Sequence, residues 1–244
     1  MPGLGTLVNA AAIIGGGLLG VVGKKWIKDR FRSILNVALG LSIIAMSVSG
    51  FVAEMLTVKE GGGFGTRGTY MVVLSLVIGG FLGELIDLDG KMERFGDFLK
   101  KKTGNAKDAA FTEAFVSASL TVCIGAMAVM GSIMDGIAVD HKILFTKAIL
   151  DFVIIMVMAA AKGKGCIFSF IPVALFQGTL TALSFLLKPL LNDLAMSNLS
   201  MVGSILVLCI GVNLIGDGKF RIKVANLLPA VVLAVAAAYI PFLD

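Results

Sequence analysis

The chain has 244 residues, of which 57% are hydrophobic and 15% are charged, and its formal net charge is +5. Soluble globular domains carry about 25% charged residues, so the composition excludes an ordinary soluble protein and favours a membrane protein. Because the positive charge is concentrated in alternate loops, it indicates contact with anionic lipid headgroups rather than with nucleic acid.

Eight apolar stretches, separated by short polar loops, occupy almost the whole chain. A helix needs about 20 apolar residues to cross a hydrocarbon core of about 30 Å, and most of the stretches reach that length. We therefore expect an all-α, polytopic transmembrane bundle of about eight spans that forms a single domain. The predicted spans are residues 4–23, 34–56, 70–88, 111–136, 143–161, 166–187, 198–216 and 226–243.

The loops between these spans alternate in positive charge. Those that follow the first, third, fifth and seventh spans contain 16 of the 21 Lys and Arg residues, and the opposite set contains 5. Loops rich in Lys and Arg stay in the cytoplasm. The basic loops are therefore predicted to be cytoplasmic, and both termini are predicted to lie outside.

The first and third spans resemble each other in sequence. Several glycine and leucine positions match at one offset, and a basic connector follows each span. This order favours a parallel internal repeat of the kind found in transporters, whereas chance similarity between glycine-rich helices is the alternative. The candidate repeat units are residues 1–56 and 70–136.

Each of these two spans also has a pair of glycines four residues apart. Such a pair lets a neighbouring helix backbone approach closely, which drives helix association in lipid. The pattern fits either packing within the chain or a homodimer interface. The two pairs are Gly16 with Gly20 and Gly79 with Gly83.

The connector at residues 89–109 is predicted to contain an amphipathic surface helix. One face is predicted to be apolar and to lie opposite charged residues such as Lys91; it contains Met92, Phe95, Phe98 and Leu99. A helix of this kind lies in the headgroup plane, where its lysines reach anionic lipids.

Most acidic residues of the spans lie near a span end, but Asp151 does not. It stands eight residues into the fifth span, about 12 Å from the nearer edge at 1.5 Å per residue. Ionisable groups at such depth are costly and mark functional sites by default. Asp151 is therefore either a substrate or coupling-ion ligand or the structural partner of Lys147, which lies one turn away.

The sixth span combines a proline with polar residues near its centre. Pro172 removes a backbone donor, and amide and hydroxyl groups follow. These features predict a bent or broken helix beside a polar cavity, because exposed backbone is tolerated in a membrane only there. The run Gly15–Gly17 predicts a similar weakness in the first span. The candidate ligands for a substrate or ion are Asp151, Gln177, Thr179, Thr181, Asn9 and Asn213.

Signatures of soluble enzymes and of metal sites are missing from the sequence. His141 is the only histidine, and there is no phosphate-binding glycine loop and no CxxC pair. The three cysteines are expected to pack as small apolar groups. We expect no metal, no cofactor and no enzymatic activity; a membrane protease that uses Asp135 and Asp151 is the least favoured alternative.

Four segments together resemble a family of bacterial multi-pass membrane proteins known as domain of unknown function 554. The resemblance covers nearly the whole chain and implies a protein of the bacterial cytoplasmic (inner) membrane, without a substrate or a mechanism. The segments are GTLVNAAAIIGGGLLG, CIGAMAVMGSIMDG, LDFVIIMVMAAAKGKG with SFIPVALFQG, and GVNLIG with VANLLPA. The positions that it singles out are Asn9, Gly125, Asp135, Asp151, Gln177, Asn213 and Asn226.

The favoured function is a secondary transporter or an ion-conducting protein for a small ion or solute. Broken helices, a mid-membrane acid and a duplicated order of spans are features of alternating access around a midplane site. A non-transporting scaffold or sensor is the alternative, although no loop exceeds about 23 residues at the spans assigned here, which leaves little surface for a partner.

Overall fold

The computed structural model describes residues 1–24, 29–58, 62–216 and 221–240, which fold into an all-α helical bundle. The helices are α1 (Leu4–Lys24), α2 (Asp29–Met55), α3 (Thr69–Ile86), α4 (Leu88–Lys102), α5 (Phe111–Cys123), α6 (Ala126–Ile137), α7 (Lys142–Lys162), α8 (Phe170–Ala182), α9 (Ser184–Leu187), α10 (Asp193–Gly216) and α11 (Leu228–Ala237). An antiparallel hairpin joins β1 (Leu56–Val58) to β2 (Phe64–Thr66), and 3₁₀ helices occupy Lys164–Ser169, Lys188–Leu190 and Val224–Leu227.

The multi-pass, all-α prediction is confirmed. Among the described residues, six helices are long and apolar enough to cross a membrane, and the pair α5–α6 makes a seventh if it is counted as one span. The last predicted span corresponds to a shorter apolar helix, Val224–Ala237, and the end of that predicted span lies outside the described residues. Three basic loop residues, Lys25, Lys28 and Lys219, also lie outside them. The count of eight therefore stays a prediction.

The two ends of the bundle are distinguished by their connections. One end carries the β-hairpin and the loop between α6 and α7, and we call it the hairpin face. The other end carries α4, and we call it the α4 face. Gly3 N donates to Asp135 Oδ2 at 3.1 Å, and Tyr239 Oη donates to Pro189 O at 3.3 Å, so both described chain ends lie at the hairpin face.

The helix break lies in the fourth predicted span, not in the first. The axes of α5 and α6 differ by 63°, and Gly125 between them has a φ of 148°, which L residues rarely adopt. The expectation that Gly15–Gly17 weakens the first span is wrong, because α1 is one continuous helix. In the sixth span, Pro172 falls in the first turn of α8. Backbone N–H groups in a first turn form no hydrogen bond within their helix, so the proline does not interrupt α8.

The glycine pairs of α1 and α3 pack against other helices of the same chain. A Cβ at Gly16 or Gly20 would overlap the backbone of α7, and a Cβ at Gly79 or Gly83 would overlap α11 or the 3₁₀ turn before it. This geometry favours the interpretation of packing within the chain. The homodimer stays a prediction and would need another surface, and the internal repeat stays a prediction as well.

The amphipathic helix of the connector is present as α4, and its apolar face packs on α5. The rings of Phe95 and Phe115 meet edge-on at 5.8 Å, and Leu99 is buried. Phe98 is exposed instead, with Lys102 Nζ 5.5 Å from its ring centre. The helix is therefore fixed to the bundle along one side and open on the other.

Candidate functional site

The candidate site is centred on the carboxylate of Asp151, halfway along α7. Its Oδ2 accepts a hydrogen bond from Lys147 Nζ at 2.6 Å and another from Asn9 Nδ2 at 3.0 Å. Lys147 and Asp151 are four residues apart on one helix face, and they are 7% and 3% exposed. The structure therefore contains a buried ion pair that α1 supports through Asn9.

Asn9 also connects this pair to α8. Its Nδ2 lies 3.4 Å from Gln177 Oε1, and both side chains are fully buried. Among the described residues, Asn9 Oδ1 and Gln177 Nε2 have no hydrogen-bond partner. Since buried polar atoms are normally satisfied, this polar network keeps unused hydrogen-bonding capacity at its core.

A cavity of about 400 Å³, which we call the central cavity, lies beside the ion pair. It is lined by α2, α7, α10 and the α5–α6 break, and both Lys147 and Asp151 contribute to its wall. Within the described residues, both hydrogen bonds of the carboxylate go to Oδ2 and none goes to Oδ1. Oδ1 is therefore available to a molecule in the cavity.

Next to the central cavity, on the side of the hairpin face, lies a larger pocket of about 530 Å³. This hairpin-face pocket contains Lys142 and Asp193, so it is polar at its rim. Four residues line both spaces, and they are Glu54, Ala126, Met127 and Ser200. The two spaces are therefore adjacent along α2, α6 and α10.

On the other side of the break lies an apolar pocket of about 340 Å³, which reaches Met92 of α4. It shares Ile124, Gly125 and Gly203 with the central cavity. Pro172 and Phe176 of α8 also line it. The broken helix thus lies between a space that the ion pair lines and a space that none of the described charged residues lines.

Three of the six candidate ligands meet in this network, namely Asn9, Asp151 and Gln177. Thr181 is close by on α8, but its Oγ1 donates to Ser132 O at 3.1 Å and so serves to tie α8 to α6. Thr179 is exposed on the other side of α8. The structure does not bring it into the network.

Asn213 lies at the α4 face, away from the ion pair. Its side chain exchanges two hydrogen bonds of 2.8 Å with the backbone of Ile222. This reciprocal pairing fixes the connection between α10 and the last apolar helix. Its role here is structural.

The residues that the sequence interpretation missed are those of the α5–α6 break and of the hairpin-face pocket. Gly125 was singled out by the family resemblance alone, and a glycine in an apolar span does not by itself predict a break. Glu54 and Lys142 lie near span ends, so their position on a common pocket follows from the fold rather than from a local pattern.

A second polar cluster, at the α4 face, is closed. Asn226 Oδ1 accepts from Asp89 N at 2.7 Å, and its Nδ2 donates to Glu84 Oε2 at 2.6 Å. Arg221 Nη2 binds Asp89 Oδ2 at 2.7 Å, and Lys223 Nζ binds Glu84 Oε1 at 2.6 Å. Burial raises the pKa of Asp89, and the Arg221 charge opposes that rise. The adjoining space is only about 20 Å³.

Asp135 forms a third cluster at the hairpin face and is fully buried. It accepts from Gly3 N and contacts His141 Nδ1. It does not line the central cavity, so it is not brought together with Asp151. In the part of the chain that the structure describes, no group of three or more His, Cys, Asp or Glu residues could hold a metal ion.

Comparison with known proteins places the chain in a family. The family described as protein of unknown function (DUF554) matches residues 4–239. The chain belongs to this family. It is 27% identical over 229 residues to "Uncharacterized membrane protein YdfK" of Bacillus subtilis (strain 168), covering 94% of this chain and 93% of that protein.

A second relative has a similar degree of identity. It is "Uncharacterized protein YqgA" of Escherichia coli (strain K12), which is 26% identical over 238 residues, covering 95% of this chain and 94% of that protein. No solved structure matches the chain. The comparisons therefore support a multi-pass membrane protein, and the functional argument depends on the geometry of the site.

Proposed function

We propose that the protein is a secondary transporter or ion-conducting protein that moves a small ion or solute across the bacterial cytoplasmic membrane. The observation that carries the proposal is the ion pair of Lys147 and Asp151 on the wall of the central cavity. Charged groups within spanning helices face water-filled cavities or each other and mark solute pathways. Here the two charges pair with each other and also line a cavity.

The broken helix supports the same function. Irregular backbone is tolerated at membrane depth where it is buried in protein or lines a cavity, and Gly125 lines the central cavity. Discontinuous helices form the midplane sites of many secondary transporters. The break also borders the apolar pocket, so a change in the angle between α5 and α6 would alter which space is open.

We propose that the α4 face is cytoplasmic. It carries α4 with its terminal run Lys100, Lys101 and Lys102, which is suited to anionic headgroups. Single cysteines at Lys101 and Lys164 should resist an impermeant thiol reagent in whole cells, whereas a cysteine at His141 should react. The reverse pattern would overturn the orientation.

Flux through purified protein in liposomes is the direct test of the proposed function. The probes are Na⁺, K⁺, protons and radiolabelled amino acids, amines and carboxylates, with empty liposomes as background. Transport of any one probe should depend on the protein and be lost in Asp151→Asn. Asp108→Asn is the matched control, because Asp108 caps a turn at the α4 face through Ala110 N, which an Asn side chain also does. A folded protein that moves none of these probes would contradict the proposal and favour a scaffold or sensor.

A further inference from the structure

The central cavity presents both signs of charge next to each other. Lys147 and Asp151 lie on consecutive turns of α7 and both contribute to its lining. Asp151 Oδ1 receives no hydrogen bond from the described residues, so the carboxylate can accept from a bound ammonium group without losing Asn9. The Asp151 carboxylate, which is the anionic half of the site, is therefore already positioned by its hydrogen bond from Asn9.

The cationic half is reinforced by the start of α6. Residues 125–128 line the same cavity, and no side chain caps the N-terminus of α6 at Gly125. The first N–H groups of a helix lack the usual acceptor one turn earlier; here Ala128 N donates to Gly125 O at 3.1 Å, which leaves the N–H groups of Ala126 and Met127. Together with the helix dipole, these groups favour a carboxylate. Lys147 lines the same cavity and adds a full positive charge to it. Two independent features of the cavity thus favour an anionic group at one end of a ligand.

A single ion would satisfy only half of this arrangement. A cation bound at Asp151 Oδ1 would add a second positive charge beside Lys147, and an anion bound at Lys147 would add a second negative charge beside Asp151. An uncompensated charge in a buried site is strongly unfavourable. A zwitterion brings one charge of each sign, so the site as a whole stays neutral.

The remaining lining limits the size of the ligand. The volume of about 400 Å³ lies near the lower end of the roughly 300–1,000 Å³ found for small-molecule pockets. Ser47, Ser200 and Ser204 supply hydroxyls, and Met46 and Ile154 supply apolar surface. This mixture suits a compact solute with a small side chain.

Resting on the proposed function, we propose that the central cavity binds a small zwitterion of the amino-acid type. Its ammonium group is held by Asp151 Oδ1, and its carboxylate is held by Lys147 and the first N–H groups of α6. Asn9 and Gln177 act as positioning residues, because they hold the Asp151 carboxylate from the side away from the cavity.

The test is counterflow into proteoliposomes loaded with unlabelled solute. The zwitterionic probe is an equimolar mixture of the radiolabelled standard L-amino acids, and the two half-molecules are ethylamine and propionate. We expect protein-dependent counterflow of the mixture, which falls by about tenfold or more in Asp151→Asn and in Lys147→Met and is unchanged in Asp108→Asn. Excess ethylamine or propionate should not compete.

A charge-exchanged variant separates binding from folding. Lys147→Asp with Asp151→Lys keeps an ion pair at the same spacing but moves the positive charge away from its wild-type position beside α6. If this variant folds and its counterflow stays low, the orientation of the charges matters for binding, as proposed. Full counterflow would overturn the zwitterion site, because the pair would then be merely structural.

The outcomes also distinguish this inference from the proposed function. Protein-dependent movement of ethylamine, Na⁺ or K⁺ without any amino acid would leave a transporter and overturn the zwitterion. Amino-acid counterflow that is unaffected in folded Asp151→Asn and Lys147→Met would overturn the assignment of the site. No movement of any probe would contradict both.

Discussion

The central network and the α4-face cluster each have a buried asparagine, Asn9 or Asn226, beside a buried aspartate, Asp151 or Asp89, and each joins distant parts of the chain. They differ in how completely their hydrogen bonds are satisfied. Around Asn226, the side-chain oxygen and nitrogen both have partners and the adjoining space is about 20 Å³. Around Asp151, Asn9 Oδ1 and Gln177 Nε2 have none among the described residues, and a cavity of about 400 Å³ lies alongside.

This difference supports the proposal that the α4-face cluster stabilises the fold and that the central network serves a ligand site. A saturated network has nothing left to offer a solute, and its removal costs stability. A network with unused donors and acceptors beside a cavity carries a cost that stability alone does not explain. Substitutions in the two regions should therefore divide between effects on unfolding and effects on transport.

The largest effect on stability is expected for Asp151→Ala. It leaves the buried ammonium group of Lys147 without a counter-ion, which costs about 3–5 kcal/mol in unfolding experiments on detergent-solubilised protein. The double variant Asp151→Ala with Lys147→Met removes both charges and should regain most of that loss. Equal stability of the single and double variants would show that Lys147 is not buried as an ion.

The next effect is expected in the α4-face cluster. Asn226→Ala leaves Asp89 N and one oxygen of Glu84 without their partner, at a cost of about 1–3 kcal/mol. Transport by the folded fraction should be unchanged, which is the opposite of Asp151→Asn. A folded Asn226→Ala protein without transport would remove the distinction between the two clusters.

A substitution at Gly125 tests whether the backbone between α5 and α6 is strained. Gly125→Ala has space for its methyl group, since no heavy atom lies within 4 Å of the added Cβ, but it keeps the unfavourable φ of 148°. We expect a loss of about 1–3 kcal/mol from backbone strain. Gly178 also has open space around an added Cβ, but it lies within a helix. Gly178→Ala should therefore be neutral or stabilising by up to about 1 kcal/mol. Similar effects at both positions would show that the backbone at Gly125 is not strained.

The smallest effect on stability is expected for Gln177→Met. The amide nitrogen of Gln177 has no partner in the described chain, and its oxygen is 3.4 Å from Asn9 Nδ2. A change of less than about 1 kcal/mol is therefore expected, together with weaker transport because Asn9 is held less firmly. A large loss of stability in thermal unfolding would show that Gln177 stabilises the fold, as Asn226 does in the α4-face cluster.

The fold class could be predicted because span length and loop charge are local properties of the sequence. That Asn9, Asp151 and Gln177 lie near one another could be predicted in part, because each is a polar residue within an apolar span. The position of the break was not. The glycines of α1 stay helical because Gly16 and Gly20 pack on α7. Their spacing predicts a close helix contact, but it does not identify the partner helix or show that the contact keeps α1 straight. Asn213 was misplaced for the same reason, because its partner, the Ile222 backbone, lies in the following loop.

We expect the Lys147–Asp151 pair to face a cavity that water enters from the hairpin face. Cysteines at Ser200, Ser204 and Ser132, in a background without the three native cysteines, test it with a small cationic thiol reagent added to whole cells. Ser200 lines both spaces, Ser204 lines the central cavity only, and Ser132 is fully buried in α6. We predict that Ser200→Cys and Ser204→Cys react while Ser132→Cys does not. Reaction of Ser200→Cys alone would show that the ion pair is sealed from the hairpin face and would contradict the claim.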